Sequence, residues 1–167
     1  IELGRSLNIQ YGHEVLNLMP TNLYGPNDNF HTEYSHVIPG LISRMDSAKK
    51  AGKQEFKIWG SGNPLREFLF VDDLSKAVDF LIHAEKDTDL INIGSGEEIS
   101  IKDLAIKIKR VVSFDGELKF DETKPDGNPR KLLDSSIMRS YGWEPLTDLD
   151  TGVKETYKWF KNNSDSD

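Results

Sequence analysis

Short apolar runs alternate with longer segments of helical period along almost the whole of this chain. Val15, Leu16, Leu18 and Met19 read as a buried strand over residues 15–19. Val37, Ile38, Leu41, Ile42 and Met45 then recur at helical spacing over about 35–50. Short strands follow at 56–59, closed by Gly60-Ser61-Gly62, and at 68–71. The next helix has Leu74, Ala77, Val78, Leu81 and Ile82 on one face, with Asp72 or Asp73 as its cap. Residues 90–93 are a buried strand ended by Gly94. Ser100, with Asp103 three positions on, opens a helix whose face is Ile101, Leu104, Ala105, Ile108 and Val111; this is a variant of the capping box. A strand at 118–120 leads into a Lys-Pro-Asp-Gly loop, and Leu149, Val153, Thr156, Tyr157 and Phe160 line a last helix. Residues 162–167 read as a polar, disordered tail. Strands that alternate with helices in this way make an α/β fold.

Other features narrow the class. A chain of 167 residues can bury a real core. No apolar run approaches the length that spans a bilayer. Cysteine is absent, which removes disulfides and thiolate metal sites and fits a cytoplasmic protein. A net charge of −7 argues against nucleic acid as a partner and requires a locally basic pocket for any anionic ligand. His13, His31, His36 and His83 lack metal-ligand spacing, so no metal is expected.

The start of the chain is unusual for a complete enzyme. Leu3, Leu7 and Tyr11 suggest a helix entered midway. No glycine-rich dinucleotide fingerprint follows a strand: Gly60-Ser61-Gly62 and Gly94-Ser95-Gly96 lack the third glycine. Tyr157 and Lys161 have Tyr-x-x-x-Lys spacing, but their place near the end of an amphipathic helix reads as a surface pair.

Residues 17–39 are where a ligand would be sought. The first strand ends abruptly in Pro20, and Thr21, Asn22, Tyr24, Gly25 and Pro26 follow. In open α/β sheets ligands lie outside the carboxyl ends of the strands. The loop then supplies His36 just before a helix. Imidazole can give and take a proton near neutral pH, although a histidine at a helix start can equally serve only to pack or hydrogen-bond locally. Tyr24 could be a core residue with a satisfied hydroxyl.

The segments Met-Pro-Thr-Asn-Leu-Tyr-Gly-Pro (19–26), Ser-His-Val-Ile-Pro (35–39), Trp59-Gly60-Ser61-Gly62, Arg66-Glu67-Phe68-Leu69-Phe70-Val71-Asp72-Asp73 and Lys-Pro-Asp-Gly-Asn-Pro-Arg-Lys (124–131) carry a resemblance. Together they resemble the GDP-L-fucose synthase family, a branch of the extended short-chain dehydrogenases/reductases. The Arg-Glu-Phe…Val-Asp-Asp segment is shared across that superfamily; the first, second and last segments are narrower.

The resemblance implies the C-terminal half of a longer enzyme: trailing elements of an NADP-binding Rossmann domain at 1–34, and a sugar-nucleotide domain at 35–161. The glycine-rich loop, Cys, Ser and Tyr-x-x-x-Lys pair of the family would lie upstream, so the chain alone is expected to be inactive. His36 falls at the family's catalytic histidine. Pro20, Thr21, Asn22 and Leu23, with His36, match its contacts to the nicotinamide end of NADP(H). Arg44, Trp59, Arg66 and Asp126 match its GDP-sugar contacts, and Arg130 and Lys131 could add positive charge. The chemistry suits those roles: a guanidinium fork bonds two phosphate oxygens, a Trp can stack on a base, and an Asp can accept from guanine N–H groups. Each also has an ordinary reading. Arg44 could sit on a solvated helix face, Trp59 in the core, Arg66 paired with Glu67 or Asp72, and Asp126 in a turn. The implied reaction is 3,5-epimerisation and 4-reduction of GDP-4-keto-6-deoxy-D-mannose by a homodimer. The alternatives are another nucleotide-sugar epimerase or dehydratase, or a non-catalytic sugar-nucleotide-binding module.

Overall fold

The computed structural model describes residues 1–164. Its elements follow the alternation: α1 (Glu2–Tyr11), β1 (Asn17–Pro20), β2 (Asn22–Tyr24), α2 (Val37–Lys50), β3 (Glu55–Trp59), β4 (Leu65–Phe70), α3 (Val71–His83), β5 (Leu90–Ile93), β6 (Glu98–Ser100), α4 (Ile101–Val112), β7 (Glu117–Asp121), β8 (Arg130–Lys131), α5 (Ser136–Ser140) and α6 (Leu149–Ser164). The class is α/β, as the periodicity requires.

Strand β4 is the hub. Its second half pairs in parallel with β2, from Asn22↔Phe68 to Tyr24↔Phe70. Its first half lies between antiparallel β6 and parallel β8. Parallel β1 and β5 form a second sheet, and parallel β3 and β7 a third. Side chains alternate across a strand. Phe68 and Phe70 therefore enter one core with Ile38, Leu41, Ile42, Met45, Leu104, Ile108 and Val153 from α2, α4 and α6. Leu69 enters the other, with Ala77, Leu81, Ile91, Ile93, Met138 and Trp143.

Several sequence expectations change. The first strand runs over Asn17–Pro20, and it is not fully buried: Met19 is 46% exposed, because β1 has only β5 as a neighbour among the described strands. Helix α1 is present over Glu2–Tyr11, but of its residues only Gly4 is buried; Leu3 and Tyr11, whose spacing marked the helix, are exposed. Helix α2 starts at Val37, two residues after the expected start. Neither Asp72 nor Asp73 caps α3, which begins at Val71 after an extended Phe70. Both lie in the first turn, where Asp73 is buried and accepts from the Thr147 N–H (2.8 Å) and Lys76 Nζ (3.1 Å). Ser100 does cap α4: its hydroxyl accepts from the Asp103 N–H (2.9 Å) and donates to the Asp103 carboxylate (2.6 Å). The expected tail at 162–167 is helical as far as Ser164; the rest of it lies outside the described residues.

Tyr157 and Lys161 form a structural lock. The Tyr157 hydroxyl donates to buried Asp46 of α2 (2.7 Å), and Lys161 Nζ lies 3.9 Å from the same carboxylate. The pair ties α6 to α2 rather than standing free on the surface.

Candidate active site

The chain changes sheets at Thr21. Residues 17–20 pair with β5, and residues 22–24 pair with β4. Such a switch at the carboxyl end of a parallel strand opens a crevice, which is where α/β folds bind ligands. Here it opens into a cavity of about 850 Å³ lined by Thr21, Asn22, Leu23, Asp28, His36, Ile38, Arg66 and Phe68 among others.

The switch is held by Glu67. Its backbone carbonyl accepts from Thr21 Oγ1 (3.3 Å) and Asn22 Nδ2 (2.7 Å). Its carboxylate is 0% exposed and accepts from the N–H groups of Gly96 (2.7 Å) and Leu133 (3.1 Å). One residue thus joins the 20–22 strand end to the β5–β6 turn and to the segment after β8. Because Glu67 turns into the interior, the adjacent Arg66 turns the other way, into the cavity wall. Arg66 makes no ion pair with Glu67 or Asp72. Its Nη1 donates to the carbonyls of Leu65 and Asn128 (2.7 Å each). Those acceptors are neutral, so the guanidinium keeps its full charge for an anion, with Nη2 unbonded among the described residues.

His36 is the residue just before α2, with extended backbone (φ −66°, ψ 169°). Its side chain makes no cap bond. The imidazole is 85% exposed, and its Nδ1 lies 3.9 Å from Asp28 Oδ1.

Trp59 is not in the core: it ends β3, 71% exposed, with Lys124 Nζ 6.0 Å from its ring centroid. Asp126 is more than a turn residue. Its carboxylate accepts from the Ser61 N–H (2.9 Å) and Ser61 Oγ (2.7 Å). That bond pins the 124–128 loop against the turn after Trp59. Gly60 permits the approach, since a Cβ there would strike the Asp126 carboxylate and its φ of +82° favours glycine. Through Gly127 and Asn128 the same loop reaches Arg66. The turn after Trp59 is thus linked through the 124–128 loop to Arg66, which lines the cavity with His36.

The remaining candidates are less central. Arg44 lies two turns along α2, about 12 Å from His36 by helical rise, outside the cavity wall. Its Nε donates to the Gly40 carbonyl (3.0 Å), its guanidinium sits 5.8 Å from the Phe56 ring centroid, and burial lowers its pKa. Pro20 is exposed at the end of β1 and does not line the cavity, whereas Thr21, Asn22 and Leu23 do. Tyr24 is a core residue, packed edge-on to Phe68 and Phe70. Arg130 is bound by Glu98 through Nη2 (2.6 Å) and Nε (2.8 Å), which pulls the Glu98 carboxyl below its ordinary range. Lys131, across from Arg66 in the β4–β8 register, has its Nζ 3.4 Å from Asn22 Oδ1. The residue that sequence reasoning missed is Asp28. Nothing in a Gly-Pro-Asn-Asp-Asn turn marks one acidic side chain as facing a histidine eight positions on.

The geometry brings an arginine without an acidic partner and an exposed histidine into one cavity beside a strand switch, with an exposed tryptophan at the end of β3. Comparisons with known proteins place the chain in a family. The chain is 50% identical over 163 residues to a probable GDP-L-fucose synthase 1 of Oryza sativa subsp. japonica, matching 98% of this chain and 50% of that protein. It is 42% identical over 174 residues to the GDP-L-fucose synthase of Escherichia coli (strain K12), matching 99% of this chain and 54% of that protein. The chain thus spans about half the length of these curated relatives. A crystal structure of a GDP-L-fucose synthetase from Naegleria fowleri bound to NADP superimposes with a TM-score of 0.91 at 32% identity, over 99% of this chain and 54% of that one. A family model for the NAD dependent epimerase/dehydratase family matches residues 1–94 of the 167. That match takes in the strand switch, His36 and Arg66, so the chain belongs to the NAD dependent epimerase/dehydratase family.

Proposed function

We propose that this chain is the substrate-binding half of an NADPH-dependent GDP-L-fucose synthase, which epimerises GDP-4-keto-6-deoxy-D-mannose at C3 and C5 and reduces it at C4. The observation that carries this reading is the common cavity: His36, Arg66 and residues 21–23 line one space. The fucose synthase relatives matched over nearly the whole chain support it.

In this reading Arg66 holds the pyrophosphate, and the Trp59–Asp126 shelf holds the nucleoside. The fit to NADPH rests on the strand switch. Thr21 and Asn22 turn their side chains onto the Glu67 carbonyl, which leaves Leu23 and freed backbone as an apolar edge suited to a nicotinamide ring. When bound, NADPH supplies the hydride that reduces C4. The C4 ketone acidifies the C–H bonds at C3 and C5; a base, the Cys that the family resemblance places upstream, takes the proton from one face and leaves an enolate, and His36 returns a proton from its Nε2 to the enolate carbon on the opposite face. Its exposure lets water replace that proton. Residues 1–34 then belong with the NADP-binding domain and 35–161 with the sugar-nucleotide domain of a cytoplasmic homodimer.

The test is His36→Asn in the full-length enzyme. Asn keeps hydrogen-bonding capacity but cannot shuttle a proton. Turnover should fall by roughly 10²–10⁴-fold, the usual worth of general acid–base catalysis. Product analysis by NMR in heavy water should show altered deuterium at C3 and C5. Normal turnover with deuterium at both centres would make His36 a structural residue.

A further inference from the structure

Asp28 is the carboxylate that faces His36, and it sits in a different environment from its partner. The imidazole is 85% exposed, but the Asp28 side chain is only 16% exposed. No lysine or arginine pairs with Asp28 among the described residues; the basic side chain beside it is the His36 imidazole, Nδ1 3.9 Å away. A carboxylate withdrawn from water without a cation is costly unless something compensates it. One oxygen has a partner: Oδ1 accepts from the Asn29 N–H (2.7 Å). Oδ2 has none among the described residues.

The loop that carries Asp28 is cross-tied. Asn27 adopts left-handed backbone (φ 65°), which turns the chain into Asp28. Asn29 Oδ1 accepts from the His31 N–H (2.9 Å), and Asn29 Nδ2 donates to the Tyr34 carbonyl (3.2 Å). His31 Nδ1 accepts from the N–H groups of Glu33 (3.1 Å) and Tyr34 (3.3 Å). Past the loop, the His36 carbonyl accepts the first hydrogen bond of α2, from the Gly40 N–H (2.9 Å). Both ends of the Asp28–His36 pair are therefore anchored. The freedom left is rotation of the imidazole.

We propose that Asp28 is the positioning residue for His36: its carboxylate accepts from Nδ1–H and so aims Nε2 at the substrate. A small turn of the ring closes the gap to a charge-assisted bond of about 2.8 Å. The far nitrogen then faces the cavity and carries the proton to be transferred. When the Nε2–H bond breaks and the C–H bond forms, the enolate charge and the ring's positive charge vanish together. The neutral ring keeps its proton on Nδ1, held by Asp28, so it cannot present the wrong tautomer to the next proton taken from water. The proposal rests on the reading of His36 as the proton donor.

The test uses the full-length enzyme with NADPH and GDP-4-keto-6-deoxy-D-mannose, as Asp28→Asn, His36→Asn and the double variant. Asn can still accept from the Asn29 N–H, so the loop tie survives while the charge goes. Asp28→Asn should lower kcat by about 10- to 100-fold with KM within about twofold, because the group acts only in the proton-transfer step. The double variant should be no slower than His36→Asn, since residues that act as a unit are not additive. Asp28→Glu, which keeps the carboxylate, should recover part of the rate, and it replaces Asp28→Asn in the cycle should that variant fail to fold. Three results overturn the proposal: additive losses in the double variant, a raised KM with unchanged kcat, or an unaffected Asp28→Asn beside a crippled His36→Asn. A His36→Asn enzyme with normal turnover instead overturns the reading beneath it, and the proposal with it.

Discussion

Arg66 shows how one residue's role follows from its neighbour's direction. Glu67 is drawn into the interior by two backbone N–H groups, so strand alternation sends Arg66 to the cavity. Its bonds to the Leu65 and Asn128 carbonyls fix the guanidinium without neutralising it. An anion that meets it gains a charge-assisted bond with a group already ordered. Arg66→Ala in the full-length enzyme should therefore weaken GDP binding by roughly 1.5–3 kcal/mol. Calorimetric titration of GDP into both forms checks this, and equal affinities would leave Arg66 a loop anchor. Arg130 makes the contrast: Glu98 already occupies its fork, so its charge is offset locally.

At the level of elements, α2 and α6 are joined through a buried acid. Asp46 is burdened by burial, which raises its pKa, but the Tyr157 hydroxyl bond and Lys50 and Lys161 outweigh that and leave it below the ordinary value. A carboxyl depressed in the folded state contributes stability above its unfolded pKa, about 4. That contribution is lost as pH falls through the lower folded value. Tyr157→Phe removes the hydroxyl and leaves Asp46 less well satisfied. It should cost roughly 1–3 kcal/mol near neutral pH. The difference from wild type should shrink below about pH 4, where Asp46 begins to protonate in the unfolded chain. Thermal melts of both forms across pH 2.5–7 measure this; a constant difference would mean that the acid is not the partner that matters.

In the proposed reading the whole molecule is the substrate-side half, and its 167 residues hold no dinucleotide fingerprint. Backbone N–H groups at a glycine-rich helix start are what hold a pyrophosphate in Rossmann domains. The chain expressed alone should therefore not oxidise NADPH in the presence of GDP-4-keto-6-deoxy-D-mannose. Absorbance of NADPH follows the reaction, and steady turnover by the pure 167-residue protein would refute the assignment of cofactor binding to a separate half.

Local rules were enough for the larger elements. Period 3.6 marked α2, α3, α4 and α6, a serine with an acid three positions on marked the α4 cap, and apolar runs bounded by glycine marked β5. The short strands β2, β6 and β8 escaped notice because two or three residues carry no period; they exist only because β4 offers them hydrogen bonds. Of the site, His36 and Arg66 were legible as residue types and by resemblance. Their common cavity was not, because residues thirty apart meet only after the chain switches sheets at Thr21. Likewise the inward turn of Glu67, the pinning of the Asp126 loop by Ser61, and the approach of Asp28 to His36 are contacts between segments that no local pattern links. Sequence by itself determined which stretches could bury a face, since that depends on spacing alone. Tertiary structure decided which polar groups were used up in holding the frame and which were left for a ligand, because each hydrogen bond depends on where a distant partner comes to lie.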